Sequence, residues 1–265
     1  MSKPLTTEQI ERYSRQIMVP DLGGKGQIRL RQAAVLVVGA GGLGSAAAFY
    51  LAAAGVGKLG LVDSDRVDLS NLQRQILHST PDIGRLKVDS AKATLGRLNP
   101  DVEISVHAVR LESDNAAGIL SSYDFVVDGS DNFPTKLLVN DIAVSFGIAY
   151  SHAGIVRLQG QTMTVVPGKS ACYRCFFKEG PAAEEILSCE QAGILGAVAG
   201  TIGSIQAIEA IKFLTGFEDG LLTDRLLTFD AKAMRFHLVE IQRDPACVAC
   251  GAPQRDRKNV STTVR

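Results

Sequence analysis

Gly39-Ala40-Gly41-Gly42-Leu43-Gly44 satisfies G-x-G-x-x-G, and Asp63 follows at the end of the next apolar run. Glycines at this spacing permit a sharp turn and close approach of backbone N–H groups to a phosphate. An acid at the end of the second strand can hold ribose hydroxyls. The chemistry read from the pattern is binding of an adenine nucleotide, and NAD and ATP both satisfy it. Close helix–strand packing can also call for such glycines, so the reading leans on the apolar strand before the loop, the helix after it and the acid beyond.

Arg74 closes the segment Ser70-Asn71-Leu72-Gln73-Arg74, and Lys87 follows in Gly84-Arg85-Leu86-Lys87. A triphosphate with nearly four negative charges, approached by a carboxylate, needs several fixed cations or a metal. Arg74 and Lys87 are candidates for that work; solvated charges on a loop and a helix are the alternative. Asp131 and Asn132 lie in Asp128-Gly129-Ser130-Asp131-Asn132, after the apolar run Phe125–Val127, where open α/β sheets bind ligands. Asp131 suits Mg²⁺, which takes one or two carboxylates beside phosphate oxygens and water. Capping of the next helix is the competing task, with Asn132 a rival for it.

Four of the five cysteines form Cys172-x-x-Cys175 and Cys247-x-x-Cys250. Paired knuckles of this kind read as a tetrahedral Cys₄ zinc site, closed to water and therefore structural. Neither pair opens a helix after a strand, as redox dithiols do. Cys189 is the odd thiol, and on its own reads as a packed small side chain.

The elements that must position these residues follow from the apolar periodicity. Thr6 and Gln9 have capping-box spacing and predict a helix from Thr7 through Arg15, with a second over Lys25–Gln32. Ala34–Val38 reads as a strand covered on both faces, followed by a helix over Leu43–Ala54 and a strand at Leu59–Val62. Alternation continues with helices at Lys87–Leu98, Asn115–Ser121 and Asn132–Phe146, and strands at Val102–Ala108, Phe125–Val127 and Ile148–Ser151. Later residues predict a hairpin turning at Gln159-Gly160 and strands at Leu226–Phe229 and Phe236–Ile241. The expected fold class is α/β: a Rossmann-like mixed sheet whose parallel nucleotide-binding half is followed by antiparallel strands. Without a linker or composition break, residues 1–251 are expected to form one domain and 252–265 a disordered tail.

Lys plus Arg equals Asp plus Glu at 28 each, so no global field gathers nucleic acid or anionic lipid. The longest apolar stretch, Ile194–Leu214, is interrupted by Gln206, Glu209 and Lys212, which predicts a buried helix and no membrane span. Charged residues at the N-terminus replace the apolar core of a signal peptide, and a cytoplasmic protein is expected.

Taken together, Arg12-Tyr13-Ser14-Arg15-Gln16, the glycine loop through Ser45, Asn71-Leu72-Gln73-Arg74-Gln75, Asp128-Gly129-Ser130-Asp131-Asn132 and Cys172-Tyr173-Arg174-Cys175 resemble one family across nearly the whole chain. It is that of the bacterial adenylyltransferases of molybdopterin synthase and of the thiamine-pathway sulfur carrier, relatives of ubiquitin-activating enzymes. The resemblance implies that Gly39, Gly41, Gly42 and Gly44 form the nucleotide loop and that Asp63 binds ribose. Ser70, Asn71, Leu72, Gln73 and Arg74 would cradle phosphate, Lys87 would join them, and Asp131 would serve Mg²⁺. Arg15 would reach into the partner subunit of a homodimer, and Cys189 matches a position where relatives carry a thiol, which implies a candidate thiol acceptor of the activated acyl group. The implied reaction is attack of the C-terminal Gly-Gly carboxylate of a ubiquitin-like sulfur carrier on the α-phosphorus of ATP. Two other readings explain less: an NAD oxidoreductase leaves Arg15, Arg74, Lys87 and Asp131 idle, and a zinc-containing binding module leaves the nucleotide features idle.

Overall fold

Ala34–Val38 forms strand β1, with Val35, Leu36, Val37 and Val38 all buried. Their side chains alternate between two apolar layers, which is why the run shows no polar alternation. Val35 and Val37 face a cluster holding Leu51, Leu95 and Ala207, whereas Leu36 and Val38 face one holding Leu120, Val139 and Met163. The computed structural model describes residues 4–178 and 192–251, so Cys189 and the expected tail 252–265 lie outside the described residues.

β1 pairs in parallel with β2 (Lys58–Val62) on one side and β4 (Phe125–Asp128) on the other. The eight strands run in the order β3-β2-β1-β4-β5-β6-β7-β8, with β3 (Glu103–His107) at one edge. The chain therefore winds outward through β2 and β3 and then returns across β1 to β4. This reversal opens a crevice beyond the carboxyl ends of β1 and β4, the usual ligand position in such sheets. β5 (Ala149–Val156) joins the two halves: it is parallel to β4 over Ala149–His152 and antiparallel to β6 (Gln159–Val165) over Tyr150–Val156. β7 (Arg225–Asp230) and β8 (Arg235–Glu240) complete the antiparallel half.

Two local expectations are corrected. The N-terminal helix is broken at Tyr13 into α1 (Thr7–Arg12) and α2 (Ser14–Ile17). The Tyr13 ring is buried against Gly55, and its hydroxyl accepts from Asn99 Nδ2 at 2.8 Å, a tertiary demand invisible to local periodicity. The hairpin turns at Arg157-Leu158, with Arg157 at φ 54°, and Gln159-Gly160 instead begins β6. Gly160 is needed for packing: a Cβ there would come within 2.5 Å of Ile202.

Further α-helices among the described residues are α3 (Gly23–Gln32), α4 (Gly42–Ala54), α5 (Lys87–Leu98), α6 (Ala116–Leu120), α7 (Phe133–Phe146), α8 (Tyr173–Phe176) and α9 (Gly196–Thr215). By length and mean hydropathy, 1.3, α9 could be taken for a membrane span. Its buried polar side chains bond to the rest of the fold, although Gln206 Oε1 has no partner among the described residues. Gln206 donates to the carbonyls of Asp128 and Ser151, and Glu209 accepts from Thr164 Oγ1 and the Leu222 N–H.

Candidate active site

The glycine loop turns β1 into α4 at the crevice. Gly39 adopts φ 88°, which a Cβ disfavours, and a Cβ on Gly44 would lie 1.8 Å from the Gly39 carbonyl oxygen. Gly44→Ala is therefore expected to lose about 3 kcal/mol of stability, since backbone cannot yield as a side-chain tip can. A fall in the urea midpoint at unchanged slope checks this. Gly44 is a packing glycine and does not line the crevice, in contrast to Gly39, Gly41 and Gly42.

Asp63, at the end of β2, accepts the Ala40 N–H at 2.8 Å and the Asp65 N–H at 2.8 Å, so its carboxylate sits against the loop and still borders the cleft. The cleft has a volume of about 1330 Å³. Arg74, Lys87, Asp131 and Asn132 all contribute to its lining. Fold topology thus gathers eight of the candidate residues, from segments spanning Gly39 to Asn132, around one space.

The cations differ in cost. Lys87 is buried, and its ammonium pairs at 2.8 Å with Asp65, whose side chain is 65% exposed. An incoming phosphate can displace so solvated a partner cheaply. Arg74 is half-buried and donates through Nη1 to the Ser70 carbonyl at 3.0 Å. Ser70, Asn71, Leu72 and Gln73 are absent from the cleft lining. Asp68 instead organises this turn, its Oδ1 accepting the Ser70 N–H and its own N–H donating to Asn71. Arg15 is exposed on α2 and does not line the cleft of its own chain.

Asn132 takes the cap of α7, accepting the Thr135 N–H at 2.9 Å, which leaves the exposed Asp131 carboxylate available to a ligand. Beneath Asp131 lies a buried group that the sequence does not reveal. Asp128 is fully buried, accepts from Ser130 N and Oγ, and lies 3.4 Å from Lys136 Nζ and 3.3 Å from His152 Nδ1. Burial alone would raise the Asp128 pKa; the Lys136 ammonium and the His152 and Ser130 hydrogen bonds outweigh it and hold the carboxyl at about 2. Burial pushes His152 down to about 4, so the neutral ring donates to Asp128. Lys136 Nζ also donates to the Ser130 and Ala153 carbonyls, both at 2.6 Å, tying α7 and β5 to the loop that carries Asp131. The local signals are the Asp128–Asn132 segment itself and the position of Lys136 near the start of a capped helix.

Away from the cleft, Cys172 and Cys175 at α8 meet Cys247 and Cys250 from beyond β8, all four sulfurs lying within 4.8 Å of one another. Cys172–Cys247 and Cys175–Cys250 are 3.6 and 3.4 Å apart. Tetrahedral coordination with Zn–S near ~2.3 Å requires S···S near ~3.8 Å, so this geometry fits a metal ion. Burial raises the thiol pKa of Cys172 and of Cys175, the latter to about 11, so a bound cation is what would hold these groups as thiolates.

A cleft at the switch point of a mixed sheet, lined by a glycine loop, two cations and an exposed acid, marks an α/β protein suited to a nucleotide, with a four-cysteine cluster able to hold a metal ion. The ThiF family pattern matches residues 13–249, and the chain belongs to that family. It is 46% identical over 93% of its length to the adenylyltransferase and sulfurtransferase MOCS3 of Culex quinquefasciatus, and spans 56% of that relative. It is 45% identical to the SAMP-activating enzyme E1 of Haloferax volcanii, covering 95% of this chain and 92% of that one. It is also 43% identical to the sulfur carrier protein adenylyltransferase of Thermus thermophilus, covering 96% of each. Among solved structures, E. coli MccB with ATP superimposes with a TM-score of 0.80 at 26% identity, covering 91% of this chain and 74% of that one.

Proposed function

We propose that this chain is an ATP-dependent adenylyltransferase that activates the C-terminal Gly-Gly carboxylate of a ubiquitin-like sulfur-carrier protein. The observation carrying the proposal is the convergence of Gly41, Gly42, Asp63, Arg74, Lys87 and Asp131 on one cleft, and relatives named for this activity match nearly the full chain. A carboxylate with pKa near ~3.5 is already ionised at neutral pH, so the attack on the α-phosphorus needs no general base. A carboxylate oxygen forms the new bond to phosphorus and the bridging oxygen leaves with pyrophosphate. The protein's task is to align the two anions and neutralise the charge between them. Arg74 and Lys87 supply fixed positive charge in the lining. Mg²⁺ at Asp131 would offset phosphate charge there.

In this reading Asp63 holds ribose, the four-cysteine cluster holds a structural Zn²⁺, residues 1–251 act as one domain, and the enzyme works in the cytoplasm. Arg15, outside its own cleft, serves the neighbouring site of a homodimer. Cys189 belongs to a later sulfur step, because attack of a carboxylate on phosphorus uses no thiol. The test is ATP–pyrophosphate exchange with purified carriers ending in Gly-Gly. Exchange is expected only when a carrier is added. Exchange without carrier, or stabilisation by NAD but not ATP in a melting experiment, would overturn the proposal.

A further inference from the structure

His78 lies three residues beyond Gln75, which lines the cleft beside Arg74, and is only 6% exposed. Its Nε2 is 3.0 Å from the Ala40 carbonyl oxygen and its Nδ1 is 2.9 Å from Ser90 Oγ. A carbonyl can only accept, so the proton sits on Nε2, and in the neutral ring that burial favours Nδ1 accepts from the Ser90 hydroxyl. Both backbone polar groups of Ala40 are thereby taken, the N–H by Asp63 and the carbonyl by His78.

A trans peptide is planar, with its C=O and N–H pointing in opposite directions. Drawing the Ala40 oxygen toward His78 therefore turns the Gly41 N–H away from the ring. Gly41 lines the cleft, and its N–H has no hydrogen-bond acceptor among the described residues. Ser90, which holds the other side of the ring, lies on α5 one turn beyond Lys87. The imidazole thus spans the glycine loop and the helix that carries the buried ammonium.

We propose that His78 is a positioning residue of the nucleotide site: it aims the Gly41 N–H at a phosphate oxygen and sets the glycine loop at a fixed distance from Lys87. This inference rests on reading the cleft as the ATP site. His78 does not touch the nucleotide; it acts through the Ala40–Gly41 peptide.

The amide nitrogen of Gln can occupy the place of Nε2, and that of Asn only the place of Nδ1, so the two variants separate aim from bulk. His78→Asn is expected to raise the KM for ATP about tenfold, the scale of one lost hydrogen bond, while the KM for the carrier stays unchanged. His78→Gln should remain within about twofold of the wild type. Direct titration of the full chain with a non-hydrolysable ATP analogue and Mg²⁺, without carrier, should show the same order of affinities. Equal ATP-analogue affinities for the two variants, or a loss in His78→Asn confined to melting temperature and active fraction, would overturn the inference. Absence of exchange by the wild type with every Gly-Gly carrier would fail the proposed function instead, and the analogue titration would still decide the role of His78.

Discussion

Arg74→Ala and Asp131→Ala should each reduce carrier-dependent pyrophosphate exchange by ~10²-fold or more, the usual scale for removing one charge-stabilising contact from a transition state. Folding should barely change. Asp131 is exposed, and its Oδ1 accepts from Asn132 Nδ2 at 3.3 Å; Arg74 donates to the Ser70 carbonyl of its own turn. Surface replacements of this kind normally move stability by no more than about 0.5 kcal/mol. A large kinetic loss beside an unchanged melting curve is therefore the expected signature. Lys87 cannot supply so clean a test, because removing a buried ammonium also leaves Asp65 without its partner and a gap in the fold. If both variants keep near-normal exchange with the correct carrier, the assignment of the cleft is wrong.

The second large effect is expected from the four-cysteine cluster. Metal analysis should find one zinc ion per chain, and stripping it or introducing Cys247→Ser should lower the melting temperature by more than about 10 °C. The scale follows from the folding free energy that structural zinc supplies and from the ~2–4 °C per kcal/mol of a chain this size. The loss should spread beyond the knuckles. Cys172, Cys247 and Cys250 share an apolar cluster with Tyr150, Met163, Leu226 and Ile241, side chains from β5, β6, β7 and the segment after β8. Without the ion, the thiols of Cys172 and Cys175, raised in pKa by burial, would be left packed against Cys247 and Cys250. Folded, zinc-free protein with an unchanged melting curve and four titratable thiols would exclude the site.

Much of this architecture could be read directly from residue order. The unbroken apolar run Ala34–Val38 signals a strand covered on both faces, because local composition reports burial on each side of a sheet. Gly39–Gly44, Asn132 with Pro134, and the two Cys-x-x-Cys pairs are likewise local codes, for a turn, a helix start and metal-ligand spacing. Tertiary structure decided what depends on partners distant in the chain. Tyr13 breaks its helix because Asn99 and Gly55 receive its side chain. Gly44 and Gly160 serve packing, as only the backbone of Gly39 and the side chain of Ile202 reveal. Asp128, Lys136 and His152 are ordinary polar residues in sequence and become one buried group only when β4, α7 and β5 meet. Buried polar atoms require partners wherever the fold brings them, so their roles follow from three-dimensional contact, whereas strands, turns and knuckles depend on neighbours within a few residues.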